Sequence, residues 1–164
     1  MLVQHNAYRA RNGAPPMTWD PVLANYALAN AQQNAATRNL LHTFQQTPGT
    51  TPYAGSQTYG ENIGFQSGAN NPLKIVWLFY NEESQYNRAT PGFQTNAGHF
   101  TQLVWVGSTR LGCAYVATND ASQTAYYLAC EYAPAGNINS PAEFTANVLP
   151  NDGSSFPTAP ADNI

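Results

Sequence analysis

Three histidines, five glutamates and two cysteines hold most of the chemistry open to this 164-residue chain. Imidazole nitrogen and carboxylate oxygen suit two tasks, holding a divalent metal and moving a proton. His42 follows a predicted helix end in Asn39-Leu40-Leu41-His42, and His99 sits in Gly98-His99-Phe100-Thr101-Gln102, where a strand is predicted to begin. Glu61 lies in Tyr59-Gly60-Glu61-Asn62-Ile63-Gly64, whose glycines let the backbone approach other groups closely. All three stand at element boundaries, where functional groups are often presented. Spacing alone does not bring them together, because any chain has polar residues at its turns. Glu82 shares a predicted helix face with Ile75, Phe79 and Tyr86, so it is expected to point into the body of the protein. His5 reads as a helix-packing residue. No serine occupies a nucleophile elbow, and Cys113 and Cys130 could pair.

These residues depend on elements whose signals are mostly local. A first helix, Leu2 to Arg11, is stopped by Asn12-Gly13 and Pro15-Pro16. Asp20 is suited to accept from free amides at a second helix start, and Pro21 fits its first position. That helix is expected to run from Val22 to about Leu41. Its face of Leu23, Tyr26, Ala27, Asn30, Ala31 and Asn34 is small enough for another layer to come close. Residues 43–59 read as a long loop rich in Gln, Thr, Pro and Gly. Asn71-Pro72 opens a helix from Leu73 to about Tyr86, and Thr90-Pro91-Gly92 turns the chain. Strands are predicted over Phe100–Val106, Arg110–Thr118 and Thr124–Tyr132, the last two as a hairpin placing the cysteines on neighbouring strands. Helices first and strands later indicate an α+β domain over residues 1–149, and the tail from Pro150 is expected to be disordered.

Composition excludes some partners. Charged residues are only 9% of the chain, against roughly 25% in an ordinary soluble domain. A net charge of -3 leaves no basic footprint for nucleic acid or anionic lipid. No apolar run is long enough for a transmembrane segment. Met1–Asn6 lacks the basic end and apolar stretch of a secretory leader, so the chain is expected to start just after a removed one.

A series of motifs then falls in one order: His5-Asn6-Ala7-Tyr8-Arg9, Met17-Thr18-Trp19-Asp20, Tyr59-Gly60-Glu61-Asn62-Ile63, Tyr80-Asn81-Glu82-Glu83-Ser84-Gln85-Tyr86-Asn87, Gly98-His99-Phe100-Thr101-Gln102-Leu103-Val104-Trp105, Arg110-Leu111-Gly112-Cys113 and Cys130-Glu131-Tyr132-Ala133-Pro134-Ala135-Gly136-Asn137. In this the chain resembles the CAP superfamily of cysteine-rich secretory, antigen 5 and pathogenesis-related 1 proteins, nearest its fungal and plant pathogenesis-related 1 branch, from about Leu2 to Ile138. The resemblance implies a three-layer α-β-α sandwich, secretion to the extracellular space, and a surface cleft whose tetrad is His42, Glu61, Glu82 and His99. Glu82 is preferred to Glu83 because it lies four residues before Tyr86, as the family motif requires. The resemblance also implies a disulfide between Cys113 and Cys130; the further cysteines of plant members are absent.

Two imidazoles and two carboxylates in one cleft suit zinc or another divalent cation. The other reading of the tetrad is a hydrogen-bonded polar ring that ties helices to sheet. Fungal relatives of this type bind and export sterols or fatty acids, so the resemblance makes a small hydrophobic ligand the expected partner. A sterol site would gather Tyr86, Phe93 and Phe100 around the Arg88–Ala97 loop. A fatty acid would need a channel, such as one between the alanine-rich helix and the Leu73–Tyr86 helix. Two alternatives stand beside lipid binding: a signalling or host-interaction protein acting on a cell-surface partner, and a metal-dependent hydrolase with Glu61 or Glu82 as base.

Overall fold

The computed structural model describes residues 1–43, 59–68, 71–120 and 123–161. The predicted 43–59 loop falls almost entirely outside them.

A four-stranded mixed sheet is the frame. Strands β1 (Thr18–Trp19), β2 (Gly60–Ser67), β3 (Arg110–Asp120) and β4 (Gln123–Ala133) lie in the order β1-β3-β4-β2. β1 runs parallel to β3, and the other neighbours are antiparallel. β3 and β4 form the expected hairpin, with Cys113 directly opposite Cys130 and bridged to it. β2 occupies one edge of the sheet, an arrangement that decides the geometry of the site.

Helix α2 (Pro21–Thr37) covers one face and starts as the residues dictate. The Asp20 carboxylate accepts from the Val22 and Leu23 amides at 2.8 and 3.3 Å, and Pro21 sits at the first helical position. Its alanines bring it down onto the strands: Ala27 and Ala31 pack with Ile63 and Ala129. Gly112 of β3 completes the close approach, since a Cβ there would lie 2.1 Å from the Ala24 nitrogen. α2 stops at Thr37, short of the expected Leu41, because Arg38 turns left-handed at a φ of 54°.

Helices α1 (Leu2–Arg11), α3 (Leu73–Asn81) and α4 (Gly98–Val104) form the third layer on the opposite face. Gly64 alternates with Ile63 along β2, and a Cβ on Gly64 would strike Ile75 and Phe79 of α3. α2 and α3 are therefore separated by the sheet, so the channel expected between them does not exist. The helix predicted to reach Tyr86 tightens into a 3-10 turn over Glu82–Gln85. The predicted strand at Phe100–Val106 is α4 instead. Its β-favouring residues were misleading: Phe100, Leu103 and Val104 recur at helical spacing and are fully buried.

A short helix that sequence reading did not identify, α5 (Pro141–Asn147), inserts Phe144 against Trp105 at a ring separation of 5.1 Å. The tail expected to be disordered makes specific contacts through residue 161. Arg11 donates to the Ser154 carbonyl at 2.9 Å, Trp77 Nε1 donates to the Pro157 carbonyl at 2.8 Å, and the Phe156 ring stacks 5.4 Å from that of Tyr80. Residues 162–164 lie outside the described set. Aromatic and backbone-directed contacts of this kind leave no trace in a Ser/Pro/Asp-rich composition.

Two buried side chains, the charged Arg9 and the neutral His5, join the layers. Arg9 of α1 donates to the carbonyls of Pro15, Leu103, Trp105 and Ser108 at 2.8 to 2.9 Å. Burial lowers its pKa only to about 10, so it keeps its charge at neutral pH. His5 donates from Nδ1 to the Met1 carbonyl and accepts the Tyr132 hydroxyl proton at Nε2, at 3.1 and 2.9 Å. Burial pushes its pKa down to about 3 from an ordinary 6.5. The folded state thus binds fewer protons than the unfolded state across that window. Stability from neutral His5 is complete above about pH 6.5 and is lost as pH falls toward about 3. Urea unfolding at a series of pH values should show this acid slope, and His5→Gln should flatten it; an unchanged slope would assign the acid sensitivity to other groups.

Candidate functional site

β2 lies at the sheet edge, and its pleat sends consecutive residues to opposite faces. Glu61 points to the α2 face and Asn62 to the α4 face, so the site straddles the edge rather than sitting on one side of it.

On the α2 side, His42 Nδ1 donates to Glu61 Oε1 at 2.7 Å. Glu61 is itself anchored, because the same oxygen accepts the Thr43 amide at 2.9 Å. Its other oxygen accepts the Thr43 hydroxyl and Asn30 Nδ2, the latter at 3.1 Å. Burial alone would raise the Glu61 pKa, but the hydrogen bonds from His42 and Thr43 help outweigh it and hold the carboxyl below its usual range. Asn34 completes this corner by accepting the Leu41 amide and donating to the Leu41 carbonyl, both at 3.0 Å. The turn that carries His42 is therefore tied to α2 by side-chain amides.

On the other side, His99 Nδ1 donates to Glu82 Oε1 at 2.6 Å. Glu82 Oε2 accepts the backbone amides of His99 and Phe100 at 3.0 and 3.2 Å. It thus binds free N–H groups at the start of α4 while orienting the imidazole. The His99 ring stacks on Phe79 with centroids 4.7 Å apart. Glu83 turns elsewhere: its Oε1 accepts from Asn12, Arg88 and Asn151 at 3.3, 2.9 and 3.0 Å, joining α1, the following loop and the tail.

Asn62 links the halves to the core. Its Nδ2 donates to the His99 carbonyl at 2.9 Å and to the Tyr132 hydroxyl at 3.1 Å, and the Tyr132 hydroxyl in turn donates to His5 Nε2. His42, Glu61, Asn62, Phe93, Thr95 and His99 line a cleft of about 310 Å³.

The four expected residues thus form two imidazole–carboxylate couples around one cleft, not four ligands converging on one point. In each couple the glutamate accepts a hydrogen bond from Nδ1–H, which places the lone pair on Nε2. Among the described residues, only His5, Cys113 and Cys130 bring three such ligand atoms within 4.8 Å of one another, and both sulfurs are committed to the bridge. The residues that would hold a divalent metal are the two oriented imidazoles, His42 and His99, with the glutamates behind them. Sequence reading missed Asn30, Thr43, Asn62 and Glu131. The amides on the alanine-rich face of α2 and the acid inside an apolar strand were the available signals.

The expected lipid residues do not form one pocket. Phe93 is 49% exposed at the cleft, whereas Phe100 and Tyr86 are buried. A separate cavity of about 150 Å³ lies between Tyr86, Pro91, Phe144, Val148 and Pro150, with Arg88 beside it.

A family model described as CAP, the cysteine-rich secretory protein family, matches residues 2–132. A pathogenesis-related protein 1C of Nicotiana tabacum is 37% identical over 142 residues, 84% of this chain and 74% of that one. The human Golgi-associated plant pathogenesis-related protein 1 is 31% identical over 150 residues, 92% and 90%. A probable pathogenesis-related protein of Arthroderma benhamiae is 32% identical over 160 residues, 91% of this chain and 47% of that protein, so the chain spans about half of that longer relative. Among solved structures, NaASP2 with Zn2+ has a TM-score of 0.63 at 21% identity, covering 92% of this chain and 83% of that one. MpPR-1i has a TM-score of 0.59 at 14% identity, covering 92% of both. The fold is the α-β-α sandwich shared with these proteins.

Glu82→Ala strands two amides and an imidazole proton at once, and each lost hydrogen bond to a charged group is worth about 1.5–3 kcal/mol. A loss of at least about 2 kcal/mol in urea unfolding is expected, with faster hydrogen exchange at the His99 and Phe100 amides. Unchanged exchange at those amides would show that Glu82 does not hold the start of α4.

Proposed function

Because the chain belongs to the CAP family of cysteine-rich secretory proteins, we propose that it acts outside the cell as a binding protein whose cleft takes a divalent cation between His42 and His99. One observation carries this reading: each imidazole donates a hydrogen bond from Nδ1–H to an anchored glutamate, so Nε2 bears the lone pair in both. Zinc suits such nitrogens and would supply a Lewis-acidic, positively charged centre. The Cys113–Cys130 bridge supports an oxidising, extracellular setting. Among the described residues no helix is long and apolar enough to cross a membrane. Among the described residues the cleft lining offers neither serine nor thiol beside the imidazoles, so hydrolysis through a covalent nucleophile has no support there.

A small hydrophobic ligand is the second reading, supported by the half-exposed Phe93 at the cleft. The cavity beside Tyr86, at about 150 Å³, is below the roughly 300 Å³ at which ligand pockets begin. A sterol-sized body would therefore rest against Phe93 and the cleft. Saturable binding of a labelled sterol or fatty acid, weakened by Phe93→Ser, is the expected outcome. No binding at micromolar protein would remove this reading.

The metal reading predicts saturable zinc binding by calorimetry, lost on His42→Ala or His99→Ala. Glu61→Gln and Glu82→Gln should weaken it about 10–100-fold without abolishing it, as expected of groups that orient ligands. Acidification should release the ion, since a protonated imidazole has no lone pair to donate. Zinc affinity unchanged by either histidine substitution would sink the assignment; loss in the glutamate variants equal to that in the histidine variants would make the carboxylates ligands.

A further inference from the structure

Glu131 lies on β4 directly opposite Glu61 on β2 and opposite Gly112 on β3. Strand alternation turns it toward α2, the same side as Glu61. Its neighbours on that face are Ala129, which packs with Ala27, Ala31 and Ile63, and Ala133, which packs with Leu23 and Tyr59. Glu131 is fully buried between these two apolar clusters. Neither of its oxygens receives a hydrogen bond from a described donor. Glu61 is the charged group that acts on it, and no cation among the described residues opposes it.

An ionised carboxylate in that setting would have neither water nor a donor to stabilise it. Two adjacent carboxyls with no cation between them hold one proton in common. The surroundings decide which keeps it. Glu61 receives hydrogen bonds from His42, from the amide and hydroxyl of Thr43, and from Asn30. Glu131 receives none, so the negative charge belongs on Glu61 and the proton on Glu131. The Glu131 O–H is then the donor that fits the remaining capacity of the Glu61 carboxylate.

We propose that Glu131 is a third member of the His42–Glu61 couple, a neutral carboxylic acid that donates to Glu61 and thereby fixes the carboxylate that orients His42. Glu131 is a positioning residue, since it acts on the cleft only through Glu61. Its role does not depend on a bound metal. Burial and the neighbouring Glu61 charge both push its pKa well up, in agreement with the geometry.

The test uses the whole protein treated with EDTA, so its outcome is separate from that of the zinc titration. Infrared spectra at neutral pH should show the C=O stretch of one protonated carboxyl, sensitive to deuterium exchange, present in the wild type and in Glu61→Gln and lost in Glu131→Gln. Absence of that band from the wild type, or its survival in Glu131→Gln, would overturn the proposal. Nitrogen NMR of the His42 imidazole reads the positioning. Glu131→Gln retains a donor of the same shape and should keep the Nδ1–H tautomer. Glu131→Met fills the space without a donor and should shift the balance toward Nε2–H. A shifted tautomer in Glu131→Gln, or an unshifted one in folded Glu131→Met, would show that Glu131 does not position His42.

Discussion

The pleat of an edge strand is the constraint on which this site depends. Because β2 is the outermost strand, residues pointing to either face of the sheet can border one opening at its rim. Glu61 meets the turn that follows α2, and Asn62 meets the carbonyl of His99 at the start of α4. A one-residue slip of β2 against β4 would exchange those faces and dismantle both sides together. The register is held by the β2–β4 ladder, which runs from Gly60–Tyr132 to Ser67–Ala125. It is further held by packing that differs on the two sides, with Ile63 under α2 and Gly64 under Ile75 of α3.

A chain with only 9% charged residues has few ion pairs to hold its layers together, and directed hydrogen bonds do much of that work. Asn62 donates to Tyr132, Tyr132 to His5, and His5 to the Met1 carbonyl, a series that runs from the cleft wall to the first residue. The Arg9 guanidinium does the same work for backbone carbonyls after α4, at Leu103, Trp105 and Ser108. Such networks are stabilising only when complete, because a buried group left without its partner costs about 1–3 kcal/mol. The same rule sets Glu131 apart: its oxygens are the buried acid atoms of the site without a donor, and a retained proton removes the penalty of a bare charge.

Much of the frame was legible in local signals. Asp20-Pro21 marked the start of α2, Asn12-Gly13 the end of α1, and two runs of strand-favouring residues the β3–β4 hairpin. The failures share a cause. α4 was read as a strand because Phe100, Leu103, Val104 and Trp105 favour strands in isolation, while its start is held by Glu82, a residue distant in sequence. The tail looked disordered by composition, yet Phe156 and the Pro157 carbonyl find partners on α3. Residue types and motif order pointed to the site, but spacing could not distinguish ligands from the groups that orient them. That distinction lies in which nitrogen each glutamate faces.

Charge balance connects the parts of the cleft. With neutral imidazoles, Glu61 and Glu82 place two negative charges beside the opening, and three of the chain's cations are engaged elsewhere: Arg9 on carbonyls, Arg88 on Glu83, Arg110 on Asp20. A third carboxylate at Glu131 would make the α2 side repel itself in a space that excludes water. Glu131 as a neutral acid leaves two charges, the number that one divalent cation held by Nε2 of His42 and His99 would balance. The buried acid and the half-buried imidazoles are therefore two ends of one electrostatic arrangement. On the proposed reading, protonation inside the sheet leaves the two glutamates of the couples as the negative charge beside the rim, a balance that would suit a cation rather than an anion.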